Sequence, residues 1–260
     1  MNQYLMLEET ILTDFLRALG PWAKHLIIGG GFAPIIYRNY LSDLGIGLPP
    51  VGTRDIDTLI PRNLPKVSAK SISQHLKEAG FQHRFKNLEE PPVEAYSKII
   101  EGSEFEIEFL TPPSVRGTPF MNASIAGVIA QPLHYLIMSL EEIRLFSLPS
   151  GQEGHVVSPG AWIFHKGLTF LKRKDSMKQL KDLYGIWYVA SQLGSFSYQS
   201  LNELRELHYK HQKWFQTFKK NFSNWLENAS PKDWMNLELQ DPNGNLSRSH
   251  FQDFVHSNWI

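Results

Sequence analysis

The stretch Thr53-Arg54-Asp55-Ile56-Asp57-Thr58-Leu59-Ile60 constrains the fold more than any other part of the chain. Side chains of an extended segment point alternately to opposite faces, so Asp55 and Asp57 share one face while Ile56 turns to the other. Such a strand needs a sheet with one packed face and one polar face. Two like charges side by side repel, and burying either without a partner is costly. A divalent cation removes that penalty; Mg²⁺ favours oxygen ligands, usually one or two carboxylates together with substrate phosphates. Upstream lies Gly29-Gly30-Gly31-Phe32-Ala33, between an apolar strand at 24–28 and a helix expected over 32–41. A glycine turn of this kind exposes backbone N–H groups where the helix dipole favours a phosphate, and it lets a ligand approach the main chain closely.

The rest of the chain divides into two halves. Leu5, Leu7, Ile11, Leu12, Phe15, Leu16 and Leu19 recur at helical spacing until Gly20-Pro21 stops the helix. A helix over 68–79, with Gly80 as its cap, is followed by strands at 81–85, 93–100, 104–110 and 124–130. From Pro132 the pattern is helical: 131–146 is the most apolar candidate, Pro159 suits a helix first turn, and helices follow over 162–173, 177–193 and 200–227. A polar tail begins at Pro231 and carries a turn signal at Asp241-Pro242-Asn243-Gly244. The expectation is an α+β protein, with a mixed α/β domain over 1–130 and a helical domain over 131–260.

Several classes drop out on composition. With 42% hydrophobic and 20% charged residues the chain reads as globular, not disordered. Lys plus Arg equals Asp plus Glu, 26 each, so net charge does not argue for a nucleic-acid partner. The absence of cysteine excludes disulfides and thiolate metal sites. No apolar run approaches the roughly 20 residues of a membrane span, and the N-terminus lacks the layout of a secretory signal, so a cytoplasmic location is expected. The histidines show no zinc spacing, and neither a Walker loop nor a Gly-x-Ser-x-Gly elbow is present.

Taken in order, Gly30-Gly31-Phe32-Ala33 and then Thr53-Arg54-Asp55-Ile56-Asp57 resemble the signature of the nucleotidyltransferase superfamily, with its polymerase-beta-like fold. The resemblance implies a nucleotidyltransferase-like mixed sheet flanked by helices, and Gly30, Gly31 and Thr53 as nucleotide-binding residues. It also implies a third acid on a later neighbouring strand, completing a catalytic, metal-holding set with Asp55 and Asp57. Within Phe105-Glu106-Ile107-Glu108-Phe109-Leu110-Thr111-Pro112, Glu108 fits that position best, and Glu106 on the same face stands in reserve.

In the helical half, Val156-Val157-Ser158-Pro159 leading to Lys166, then Arg173, Lys178 and Asp182, resembles the AbiEii/MenT-type toxin branch. On that likeness Lys166 contacts the triphosphate as a catalytic residue, helped by Arg173 or Lys174, and Lys178 and Asp182 complete nucleotide binding. The activity implied is Mg²⁺-dependent transfer of a nucleoside monophosphate from an NTP to a hydroxyl of tRNA or a small molecule, with a cognate antitoxin protein as partner. The alternative is a catalytically silent nucleotide- or RNA-binding relative within a toxin–antitoxin or defence pair. Phe215, Phe218, Phe222 and Trp225 could stack on RNA bases, but their i, i+3, i+4 steps read as a buried stripe.

Overall fold

The computed structural model describes residues 3–43, 53–87, 91–115, 117–119 and 121–260. Helix α1 (Gln3–Leu19) buries Ile11, Leu12, Phe15, Leu16 and Leu19, the stripe its spacing predicts. Strand β1 (Ile27–Ile28) runs through the glycine turn into α2 (Phe32–Ile36), which loosens to a π-helical turn over Tyr37–Leu41. Next come β2 (Asp55–Leu59), α3 (Ile72–Glu78), β3 (Gln82–Phe85), β4 (Glu94–Ile100) and β5 (Ser103–Thr111). A capping box between Ser71 and Gln74 starts α3, satisfying N–H groups that the first turn leaves orphaned. Residues 44–52, whose glycines and prolines read as a loop, lie outside the described residues.

These strands form a mixed sheet in the order β3-β4-β5-β2-β1, extended beyond β1 by two later strands. Strand β2 pairs parallel with β5 and β1 pairs antiparallel with β2, so the Asp55 strand is central and has a neighbour on each side. The run at 124–130 resolves into a hairpin of β6 (Ala123–Ile125) and β7 (Val128–Pro132). Its turn residues Ala126 and Gly127 have φ of 50° and 84°, the left-handed pair that a two-residue hairpin loop requires.

The helix expected over 131–146 is mostly not one. Only α4 (Ile137–Glu141) is helical; β8 (Ile143–Ser147) then pairs antiparallel with β9 (Glu153–Val157), and β9 pairs parallel with β1. Phe146 is the one buried residue of β8, and pairing with β9 gives the segment a ladder of backbone hydrogen bonds. The sheet therefore continues to Val157, where the first compact unit ends.

The second compact unit contains Ser158–Ile260. It is helical: α5 (Pro159–Thr169), α6 (Ser176–Ser191), α7 (Ser195–Lys210), α8 (Gln212–Asn228), α9 (Pro231–Glu238) and α10 (Arg248–Asn258). The long helix expected over 200–227 is two helices, broken at His211, whose φ of -128° and ψ of 52° leave the helical region. The aromatic stripe is core: Phe215, Phe218, Phe222 and Trp225 are buried. The tail after Pro231 folds as well, around Trp234, Phe251 and Val255. Its turn is held by the Asp241 carboxylate, which accepts from the N–H groups of Asn243, Asn245 and Leu246. No helix among the described residues is long and apolar enough to cross a membrane.

Candidate active site

The register between β2 and β5 decides what the acids face. Asp55 lies opposite Glu106 and Asp57 opposite Glu108, so four carboxylates stand in two rows on one face of the sheet. The other face takes Ile56, Phe105, Ile107 and Phe109, all buried. The alternating sequence thus produces a polar face over an apolar floor. Asp55 is exposed and Asp57 partly so, whereas Glu106 is buried.

The glycine turn closes onto this face. The N–H of Gly29 donates to the Asp57 carbonyl at 2.8 Å. Gly30 has φ of 55°, and a Cβ placed there would sit 1.9 Å from Asp57 Oδ2. No side chain fits: the backbone of Gly30 lies directly against the Asp57 carboxylate. Gly31 is similarly pressed, a Cβ there falling 2.8 Å from Thr53 Cγ2, and the Thr53 hydroxyl accepts from the Asp55 N–H at 3.3 Å. Gly30, Gly31, Thr53, Asp55 and Asp57 are therefore one assembly, as their order in the sequence suggests.

Two cations in this assembly escaped the sequence reading. Lys86 pairs with both Glu106 and Glu108, and Arg84 pairs with Glu106 and, at 3.5 Å, with Glu104. They start two strands away, because β3 is separated from β5 by β4. They reach across because β4 presents only Ala95 and Ser97 beneath them: Arg84 is in register with Ala95, and Ser97 is in register with both Gln82 and Glu106. The signal was available in the alternation Arg84-Phe85-Lys86, which puts two cations on one face, but nothing local says which acids they meet.

This contact sorts the acids electrostatically. Burial alone would push the Glu106 carboxyl up, yet hydrogen bonds from Lys86 and Arg84 hold it below the usual carboxylate range. Glu108 moves the other way: burial raises it, the Asp57 charge adds to that, and Lys86 offsets only part. Lys86 itself is depressed by burial but raised on balance by its bonds to Glu106 and Glu108. Asp55, Asp57 and Glu108 come to one face, but no group of three or more His, Cys, Asp or Glu side chains among the described residues is gathered to hold a metal ion. Lys86 supplies the positive charge between the two glutamates instead.

The helical unit holds the second expected set. Lys166 on α5 donates to Asp182 Oδ1 at 2.7 Å, and Arg173 donates to Asp182 Oδ2 at 2.9 Å, so these three residues do meet. Lys166 also lies 5.7 Å from the centre of the Trp162 ring. Burial tends to raise the Asp182 carboxyl, but the charges of Lys166 and Arg173 hold it below its ordinary value. Lys178 stays exposed in the first turn of α6, where its N–H is capped by Asp175.

A family model described as nucleotidyltransferase matches residues 10–206. Among solved structures, an antigenic nucleotidyltransferase-like protein from Paracoccidioides brasiliensis aligns with a TM-score of 0.45 at 16% identity, covering 82% of this chain and 93% of that one. The protein JHP933 from Helicobacter pylori aligns with a TM-score of 0.42 at 10% identity, covering 99% and 97%. No curated protein sequence matches the chain. With the family model spanning the glycine turn, both aspartates, Glu108 and Lys166, the chain belongs to the nucleotidyltransferase family.

Proposed function

We propose that this nucleotidyltransferase moves a nucleoside monophosphate from an NTP to a hydroxyl group, releasing pyrophosphate. The observation that carries the reading is the seat of Asp57: a backbone with no room for a side chain presses on a carboxylate that shares its face with Asp55. A turn serving only to reverse the chain has no need to meet an acid so closely.

Members of this family typically depend on a metal ion. Two neighbouring aspartates are hard oxygen donors of the kind Mg²⁺ takes together with substrate phosphates, so the residues fit. Asp55 and Asp57 would hold the ion, with Glu108 as the third acid once its bond to Lys86 yields. When bound, the ion supplies positive charge against the triphosphate. Gly30 and Gly31 let the phosphates approach the main chain, and Thr53 fixes the start of β2 through the Asp55 N–H. Glu108, with its raised proton affinity, is suited to accept the proton of the attacking hydroxyl. On the AbiEii/MenT-type resemblance, Lys166, with Arg173 beside it on Asp182, would contact the triphosphate, and Lys178 would add to nucleotide binding. The acceptor is tRNA or a small-molecule hydroxyl, and the resemblance to the AbiEii/MenT-type branch favours a toxin-like role with a cognate antitoxin.

A second reading, a catalytically silent relative that binds nucleotide or RNA for a partner, is favoured by one observation. Lys86 already neutralises Glu106 and Glu108, as a site that has given up its metal would arrange. Transfer of labelled NTP in the presence of Mg²⁺ separates the two readings, over a broad set of RNA, protein and small hydroxyl acceptors. Incorporation by wild type that is abolished in Asp57→Ala supports transfer. Undiminished nucleotide binding with no incorporation supports the silent relative.

A further inference from the structure

Strand β3 ends at Phe85, but its ladder with β4 runs one residue further. The Lys86 N–H donates to the Val93 carbonyl at 2.7 Å, and the Asn87 side-chain oxygen accepts from the Val93 N–H at 2.7 Å. The sheet therefore fixes the root of the Lys86 side chain. From that root its ammonium joins Glu106 to Glu108, whereas the neighbouring Arg84 pairs with Glu104 and Glu106. Of these two cations, it is Lys86 that holds an acid which the transfer reading assigns to the metal ion.

Glu108 stands in register with Asp57, so two like charges face each other across β2 and β5. A resident ammonium relieves that repulsion in the free protein, and a divalent ion relieves it in the loaded site. Both draw on the same carboxylate. An ion entering alone must displace Lys86 and leave it with one partner fewer, a cost that lowers the affinity of the ion. An ion entering with a triphosphate meets no such cost. The phosphates supply further oxygen ligands, and the ammonium, with three donors, exchanges the Glu108 carboxylate for a phosphate oxygen.

We infer that Lys86 makes the binding of Mg²⁺ and NTP cooperative. In the free protein it keeps Glu108 from the ion; when ion and nucleotide enter together it moves from Glu108 to the triphosphate, still held by Glu106. The inference rests on the transfer reading, in which Asp55 and Asp57 hold the ion against the triphosphate, and adds the order of loading. Linkage then requires the ion to tighten nucleotide binding by the same factor as the nucleotide tightens the ion.

Mn²⁺, a paramagnetic stand-in for Mg²⁺, reads metal binding to the full chain without nucleotide by electron paramagnetic resonance. Lys86→Met is expected to bind it about tenfold or more tightly than wild type. Arg84→Met, which removes the same charge from the same face, stays close to wild type. In a Glu108→Gln background Lys86→Met gains nothing, because the contested carboxylate is absent. Lys86→Gln, which still donates to Glu106 but carries no charge, repeats the gain should methionine unsettle the fold. Calorimetry with the α,β-methylene analogues of ATP, CTP, GTP and UTP, in Mg²⁺ and in EDTA, supplies a second readout. The factor by which Mg²⁺ tightens the analogue falls about tenfold or more in Lys86→Met. Binding of Mg²⁺ to the analogue itself is common to both proteins and cancels. If wild type takes the Mg²⁺–analogue complex, three results overturn the inference and leave the transfer reading standing: unchanged Mn²⁺ affinity in Lys86→Met, an equal gain in Arg84→Met, or an unchanged Mg²⁺ factor. No metal or analogue bound by any of these proteins overturns both.

Discussion

Replacing Lys86 with methionine tests the electrostatics of the site directly. The change keeps the length of the side chain but removes the cation shared by Glu106 and Glu108. Arg84 remains on Glu106, so Glu108 loses most, facing the Asp57 charge without its counter-ion. Exposed ion pairs are worth about 0–1 kcal/mol, and breaking a buried one costs about 3–5 kcal/mol. The Lys86 side chain is 36% exposed but that of Glu106 only 9%, which places this pair between the two limits. A loss of about 2 kcal/mol follows, or about 4–8 °C in Tm for a chain of this size. The pH dependence carries the sign. Lys86 is raised above its ordinary 10.5, so its contribution is complete below that pH and fades as pH climbs through the raised value. Glu106 is held below its ordinary 4.5, so its contribution is present above that pH and disappears as pH falls through the lowered value. The gap in Tm between wild type and Lys86→Met should therefore be a plateau across neutral pH that closes at both extremes. Mg²⁺ should raise the Tm of the variant more than that of wild type, since the ammonium no longer competes for Glu108. A gap that is absent at pH 7, or that narrows at neither extreme of pH, would refute the reasoning.

Other positions give independent checks. Burial pushes the Glu8 carboxyl up from 4.5 to about 7, so the fold loses stability as pH rises across that interval. Glu8→Gln should add about 1–3 kcal/mol at pH 8 and nothing at pH 4 in urea denaturation; an equal effect at both would contradict the assignment. Gly30→Ala should lower transfer about a hundredfold or more, because the whole Asp57 carboxylate must shift to admit a Cβ. Labelled-NTP incorporation checks this against Gly151→Ala, also at positive φ but with open space around it. Asp182→Ala strands Lys166, 11% exposed, and should cost about 3–5 kcal/mol by chemical denaturation; adding Lys166→Met should recover part of that, since the uncompensated charge is removed and the side-chain end lies over the Trp162 ring.

Local chemistry made part of this protein legible. Ile56 between Asp55 and Asp57 dictates a half-buried strand, whatever surrounds it, because the period of two is a property of the extended backbone. The buried aromatics of α8 declare themselves by helical spacing in the same way. Short apolar runs are ambiguous: Ile143–Ser147 could serve helix or strand, and pairing with β9 decided for strand. His211 carries no breaker signal, and the division of 200–227 into two helices depends on packing.

The sequence by itself determined that Asp55 and Asp57 share a face, that a glycine turn precedes them, and that Glu106 and Glu108 alternate with a core. Only the tertiary structure decided which groups meet. The pairing register sets Asp57 beside Glu108, the close approach of Gly30 seats the Asp57 carboxylate, and the small residues of β4 let Lys86 reach acids two strands away. The reason is range: side-chain periodicity acts over neighbouring residues, whereas the charge on a carboxylate is governed by whatever comes within a few ångströms in space, from any distance along the chain.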